Sequence, residues 1–98
     1  MKAIIKQALD NYGTDGVPTG GFLRAVLSND LFLALRKADI DNQHDIFEIV
    51  HYVYNELPGN CWGSKEAVAA WLKKKDDERR DVAADKHSEV MERQEGDR

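Results

Sequence analysis

Residues 22–38 read FLRAVLSNDLFLALRKA, and their apolar side chains recur at the 3.6-residue spacing of an amphipathic α-helix. The residues that carry this spacing are Phe22, Leu23, Val26, Leu27, Leu31, Ala34, Leu35 and Ala38. In the middle of the stretch, Ser28-Asn29-Asp30 places three poor helix formers in a row, which can kink or break a helix. The stretch therefore predicts a helix up to about residue 38 with an irregularity near its centre.

A shorter helix and a loop are predicted before this stretch. The apolar side chains of the first helix, of about ten residues, are those of Ile4, Ile5, Ala8, Leu9 and Tyr12. Gly13 is expected to end that helix, because residues 13–21 contain four glycines and a proline, a composition typical of loops. Thr19 is expected to cap the next helix, since its hydroxyl can accept a hydrogen bond from a backbone amide of the first turn.

Two further helices are predicted after residue 38. Asp41 or Asn42 can cap the third helix, and Pro58-Gly59 ends it. Its apolar stripe consists of Ile46, Ile49, Val50, Val53 and Leu57, widened by Phe47 and Tyr54. Ser64 is a good cap for a fourth helix, whose apolar side carries Val68, Trp71 and Leu72. Because no stretch alternates in the manner of a strand, the sequence predicts an all-α fold, a compact bundle of about four helices.

The distribution of charge divides the chain into two parts. The chain has 98 residues, a length typical of one small domain. Residues 73–98 hold 17 charged side chains among 26 positions, and the apolar spacing ends at Leu72. The sequence therefore predicts a helical domain over residues 1–75 and a charged, partly helical extension over residues 76–98. A domain of this size buries only a small core, so we expect self-association, most simply as a homodimer.

The composition argues against several classes of protein. A net charge of −4 disfavours direct binding to nucleic acid, which requires basic side chains to neutralise phosphates. No apolar run is long enough for a transmembrane helix, and the first residues lack the pattern of a secretory signal. The single cysteine, Cys61, provides neither an internal disulfide nor a multi-cysteine zinc site. We expect a cytoplasmic protein without a cofactor.

Two segments carry recognisable motifs, VPTGGFLRAVLSNDL at residues 17–31 and YVYNELPGNCWGS at residues 52–64. Over about residues 10–72, these motifs resemble a family of small accessory proteins from tailed bacteriophages and prophages. The charged extension lies outside the resemblance. The resemblance implies a phage product that acts in the cytoplasm of the bacterial host, where it would redirect host machinery or counter host defence, and it implies no particular activity.

The glycine-rich loop before the second helix is the main candidate binding site. Thr19, Gly20 and Gly21 precede a helix N-terminus, and Arg24 lies one turn into the helix. Free backbone amides together with a guanidinium can bind a phosphate or the carboxylate of a partner, although the same glycines also suit a plain loop-to-helix turn. The further candidates for binding are Asn60 and Trp62 in the second glycine-rich turn, and Tyr12, which lies near a loop and off the main stripe.

Two other groups of residues were weighed as sites of chemistry. His44, Glu48 and His51 share one face of the third helix, but a single face offers too few ligands for a closed metal site, so a polar surface is favoured. Cys61 precedes a helix whose dipole could lower the pKa of its thiol. No catalytic signature surrounds Cys61, so a packing role is favoured there, and we assign no catalytic or metal-ligating residue.

These features favour a non-enzymatic protein that binds a bacterial host protein stoichiometrically. The alternative is a small-ligand binder that sequesters a phosphorylated or nucleotide defence signal in the glycine-rich loop. An enzyme is the least favoured class, because the sequence offers no complete catalytic set.

Overall fold

The chain folds into five α-helices in a computed structural model that describes the backbone of residues 1–95 and the side chains of residues 1–81. The helices are α1 (Ala3–Asp15), α2 (Gly21–Leu27), α3 (Leu31–Lys37), α4 (Ile40–Glu56) and α5 (Lys65–Glu95), with a 3₁₀ turn at Gly59–Cys61. No strand occurs within residues 1–95, so the prediction of an all-α fold is confirmed.

The single helix predicted near residues 22–38 consists of two helices, which raises the number from four to five. Asn29 has a φ of 62°, in the left-handed region, where a helix cannot continue. The side chain of Asp30 then accepts a hydrogen bond from the backbone amide of Leu33 and caps α3. The irregularity predicted at residues 28–30 is therefore a complete break.

The first helix extends two residues beyond its predicted end at Gly13. Gly13 lies within α1, and a Cβ atom at this position would be 3.1 Å from Leu57 Cγ. A glycine here therefore permits α1 to approach the end of α4 closely. The helix ends where Gly16 takes up a φ of 68°, and its amide donates a hydrogen bond to the Tyr12 carbonyl at 3.0 Å.

The caps of the other helices agree with the sequence in one case and differ in two. Ser64 Oγ accepts from the amide of Ala67 at 3.0 Å, as predicted for the start of α5. The cap of α4 is Asp39 instead of Asp41 or Asn42, because its carboxylate accepts from the amide of Asn42 at 2.7 Å. Thr19 does not cap α2: Gly20 occupies the cap position without a side-chain bond, and the Thr19 hydroxyl donates to the Gly20 carbonyl instead.

One apolar core joins α1, α2, α4, the 3₁₀ turn and α5. Its buried residues are Leu9, Tyr12, Leu23, Leu27, Ile49, Val53, Leu57, Cys61, Val68 and Trp71. The burial of Val68 and Trp71 is as the sequence predicted. The prediction that Tyr12 is a surface contact residue is wrong, because only 1% of this side chain is exposed.

Tyr12 connects three parts of the chain through hydrogen bonds at both of its ends. Its hydroxyl donates to the carbonyl of Cys61 at 2.7 Å, which joins α1 to the 3₁₀ turn. Its carbonyl accepts from the indole Nε1 of Trp71 at 2.8 Å, which joins α1 to α5. Both bonds are buried, so they provide partners for polar groups that water cannot reach.

Several apolar side chains predicted for the core lie at the surface instead. Ile49 and Val53 define the buried side of α4, and Phe47, two residues from Ile49, lies on the opposite side of the helix. The side chains predicted for the apolar stripes and found exposed are Ile4, Leu31, Leu35, Phe47, Val50 and Tyr54. These side chains therefore add apolar area to the surface of the protein instead of to its core.

The last helix continues without a break across the predicted domain boundary at residue 75. A Cβ atom at Gly16 would lie 2.3 Å from Lys75 Cβ, so Lys75 packs directly on the end of α1. Arg79 Nη1 donates to the carbonyl of Asp15 at 2.5 Å, so contact with α1 reaches four residues beyond that boundary. The division into residues 1–75 and 76–98 stays a prediction, and residues 96–98 of the predicted extension lie outside the described part.

We predict that Tyr12→Phe lowers the free energy of unfolding by about 1–3 kcal/mol, because it leaves the buried Cys61 carbonyl without its donor. The measurement is denaturation by urea, followed by circular dichroism. Tyr54→Phe is the matched control, since Tyr54 is 69% exposed and its loss of a hydroxyl should change stability by less than about 0.5 kcal/mol. Equal effects of the two substitutions would contradict the assigned role of Tyr12.

We also predict that Gly16→Ala destabilises the fold by more than about 1 kcal/mol, because a left-handed φ strains alanine and the new Cβ meets Lys75. Gly59→Ala is the control, since Gly59 has open space around the Cβ position. Thermal unfolding of both variants checks the difference. A Gly16→Ala variant as stable as the control would show that α5 does not pack against α1 at Lys75.

Candidate functional site

The exposed side of α4 carries four large apolar side chains, which we call the α4 surface: Ile40, Phe47, Val50 and Tyr54. Their exposed fractions are 80%, 78%, 47% and 69%. Ile40, Phe47 and Tyr54 are spaced by seven residues, so they lie above one another along one side of the helix. Single exposed apolar residues are ordinary, but an aligned set with two aromatic rings is typical of a protein-binding surface.

Trp62 lies at one end of the α4 surface. Its ring and that of Tyr54 are 5.6 Å apart between centroids, at an angle of 54°. The two rings, with Val26, Asn29, Val50 and Val53, line a cleft of about 140 Å³ between α4, the end of α2 and the turn before α5. Within the described part of the chain, Trp62 Nε1 is buried without a hydrogen-bond acceptor.

The residues weighed as metal ligands on α4 are engaged separately. The His51 ring stacks on Phe47, with centroids 5.7 Å apart. Glu48 forms an ion pair with the amino group of Met1, and His44 contacts Asp45. Among the residues with described side chains, no group of three His, Cys, Asp or Glu side chains is arranged to hold a metal ion.

An electrostatic network holds α4 against α1 beside this surface. The hydroxyl of Tyr52 donates to Asp10, and Lys6 Nζ contacts the same carboxylate at 3.1 Å. The hydrogen bond from Tyr52, reinforced by Lys6, holds the pKa of Asp10 below its usual value. The same bond raises the pKa of Tyr52, because the phenol proton is shared with a carboxylate. The network orients α4 so that Phe47 and Tyr54 remain on its outer side.

The candidate site residues from the two glycine-rich segments fall in different places. Gly21 and Arg24 line a groove between α2, α3 and α5, while Thr19 and Gly20 precede it. Asn60 is exposed in the 3₁₀ turn, and Trp62 lines the cleft beside α4. The second turn meets the far end of α2, where the amide of Gly63 donates to the Leu27 carbonyl at 2.7 Å. The two glycine-rich segments therefore contribute to different surfaces.

The environment of Cys61 opposes a role as a nucleophile. The residue is fully buried, and this burial raises the pKa of its thiol to about 11. The helix dipole was expected to lower that pKa, but removal from water outweighs it because a thiolate is costly in an apolar core. Burial likewise raises the pKa of Tyr12. The packing role expected for Cys61 agrees with this environment, and Tyr12 packs in the same core.

The α4 surface differs from the sequence prediction, which places Phe47, Val50 and Tyr54 in one wide buried stripe and assigns Ile40 to none. One signal in the sequence points to this surface. Phe47 lies two residues from Ile49, and this spacing places the two side chains on opposite sides of a helix. The second signal was the seven-residue spacing of Ile40, Phe47 and Tyr54. Both describe an apolar side opposite the core.

Comparisons with known proteins do not extend these observations. No protein-family model, no curated protein and no solved structure matches the chain. The resemblance to phage accessory proteins therefore stays a prediction. Within the described residues, no helix combines the length and the apolar character that crossing a membrane requires.

We predict that Cys61 resists modification by a thiol reagent at neutral pH and reacts fully once the protein is unfolded. Because the folded pKa is raised from 9.0 to about 11, the stability that this group contributes is complete below pH 9.0 and is lost between these two values. Stopped-flow modification and denaturation at several pH values test both statements. Rapid labelling of the folded protein at neutral pH would contradict them.

Proposed function

We propose that this protein acts without catalysis, by binding one protein partner through the α4 surface and the adjoining Trp62 cleft. The observation that carries the proposal is the exposure of Phe47 and Tyr54 on one side of a helix that is fixed by its opposite side. A rigid helix that presents aligned aromatic side chains loses little conformational entropy on association. Such a surface supports stoichiometric binding.

The chemistry of the surface indicates the chemistry of the partner. Aromatic residues are enriched among the side chains that contribute most to protein–protein affinity, often at about 2 kcal/mol or more each. The exposed rings of Phe47 and Tyr54 fit an apolar groove or a second amphipathic helix in the partner.

The resemblance to phage accessory proteins supports a bacterial host protein as the partner and the host cytoplasm as the compartment. Redirecting host machinery and countering host defence can both be achieved by binding alone. A second copy of the chain is the other occupant that the α4 surface can accept, which corresponds to the expected homodimer. The experiment below separates the two.

We predict that the double substitution Phe47→Ser and Tyr54→Ser leaves the fold intact, because both side chains are mostly exposed, and abolishes partner binding. The tagged protein is expressed in a bacterial host, the stoichiometric partner is purified, and the affinity of the purified pair is measured by calorimetry. Loss of the two rings should weaken binding by at least about a hundredfold, at about 1.4 kcal/mol for each factor of ten.

Ile4→Ser provides the matched control. Ile4 is 71% exposed and lies on the opposite side of α1 from Lys6, which contacts α4. The control should bind the partner as the unmodified protein does. Sedimentation of the protein alone shows whether a second copy occupies the surface: a dimer that the double substitution dissociates would replace the host partner in the proposal. Full binding by the double variant would exclude the α4 surface for either occupant.

A further inference from the structure

A groove lies between α2, α3 and the first turns of α5, on the other side of α2 from the Trp62 cleft. Its volume is about 610 Å³, within the range of about 300–1,000 Å³ that is usual for small-molecule sites. The lining residues are Gly21, Arg24, Ala25, Ser28, Asp30, Leu33, Lys37, Lys65 and Ala69. Two consecutive short helices and the distant start of α5 thus meet around one cavity.

The charged side chains of this groove are mostly basic, on a chain with a net charge of −4. Arg24, Lys37 and Lys65 line it from three different helices. Within the described residues none of the three forms an ion pair, whereas Lys73 is paired with Asp77 on the exposed part of α5. Asp30 is the one acidic residue of the lining, and its carboxylate accepts a hydrogen bond from the Leu33 amide. With three basic residues and one acidic residue, the lining carries a net charge of +2.

The uncharged part of the lining is aliphatic. Ala25, Leu33 and Ala69 contribute small or branched apolar side chains. The methylene groups of Lys37 pack over Gly21, where a Cβ atom would lie 3.2 Å from Lys37 Cδ. The lining includes no aromatic ring, so the groove offers no platform on which a nucleobase could stack. An aliphatic body suits these walls better than an aromatic one.

We propose that this groove binds a small phosphate monoester with an aliphatic body. A phosphate monoester carries a charge close to −2 at neutral pH, which matches the net charge of the lining. The guanidinium of Arg24 can hold two phosphate oxygens at once, while Lys37 and Lys65 supply compact charges from the neighbouring helices. The aliphatic body contacts the alanine and leucine side chains.

This site differs from the anion site that the glycine-rich loop suggested. The charge comes from side chains on three helices, instead of from backbone amides at the start of α2. Gly21 and Arg24 belong to both sites, but Thr19 and Gly20 lie outside the lining. The site is also independent of the α4 surface, so either proposal can fail alone.

The binding experiment is a titration of the full chain with hexyl phosphate, followed by amide NMR shifts at constant ionic strength. We expect saturable shifts at residues of the groove and an affinity about tenfold higher than for inorganic phosphate, because the alkyl chain leaves water. Adenosine monophosphate should bind no better than inorganic phosphate. No saturation by hexyl phosphate up to about 10 mM, an affinity equal to that for inorganic phosphate, or preference for the nucleotide would overturn the proposal.

Substitutions locate the bound phosphate. Arg24→Gln, Lys37→Gln and Lys65→Gln should each weaken hexyl phosphate binding by about tenfold, since each removes one charge-assisted contact. Arg36→Gln is the matched control: Arg36 is the exposed neighbour of Lys37 on α3 and does not line the groove, so binding should be unchanged. Equal effects of Arg36→Gln and Lys37→Gln would show that anions are attracted without a defined site, and would overturn the proposal. A phosphoserine peptide that binds about tenfold more tightly than hexyl phosphate would overturn the assignment to a small molecule.

Discussion

The two buried hydrogen bonds of Tyr12 are the interaction on which the arrangement of the helices depends. The phenol of Tyr12 is inside the core and donates to the Cys61 carbonyl, while its backbone carbonyl accepts from Trp71. A polar group in this position is costly unless it is bonded, so α1, the 3₁₀ turn and α5 must keep one relative position. The turn held in this way also brings the Gly63 amide to the Leu27 carbonyl at the end of α2.

The shortness of α2 and α3 explains why so much apolar surface remains outside. Each has seven residues, and the left-handed Asn29 turns the chain between them. The break lets α2 bury Leu23 and Leu27, but α3 buries only Ala34 and leaves Phe32 84% exposed. A single continuous helix would have carried Leu23, Leu27 and Ala34 on one stripe. With two short helices, the described part of the chain leaves the outer sides of both α3 and α4 uncovered.

Helix α2 lies between the two surfaces to which we assign binding, the Trp62 cleft beside α4 and the basic groove. Val26 faces the cleft beside Tyr54 and Trp62, while Arg24 and Ala25 face the basic groove. One surface is apolar and aromatic and suits a protein partner, and the other is basic and aliphatic and suits a small anion.

The sequence by itself determined the helical class, the break at residues 28–30, the Ser64 cap, the end of α4 at Pro58 and the burial of Val68 and Trp71. These features depend on spacing, on backbone chemistry and on hydrogen bonds within a few residues, which a local pattern contains. The tertiary structure alone decided that Tyr12 is buried, that Phe47 and Tyr54 are exposed, and that Lys37 and Lys65 join Arg24 around one groove. Those outcomes depend on which helix covers which side chain, and the partners are 49 residues apart in the case of Tyr12 and Cys61. Spacing along one helix identifies an apolar side, but it does not say whether another helix is present to cover it.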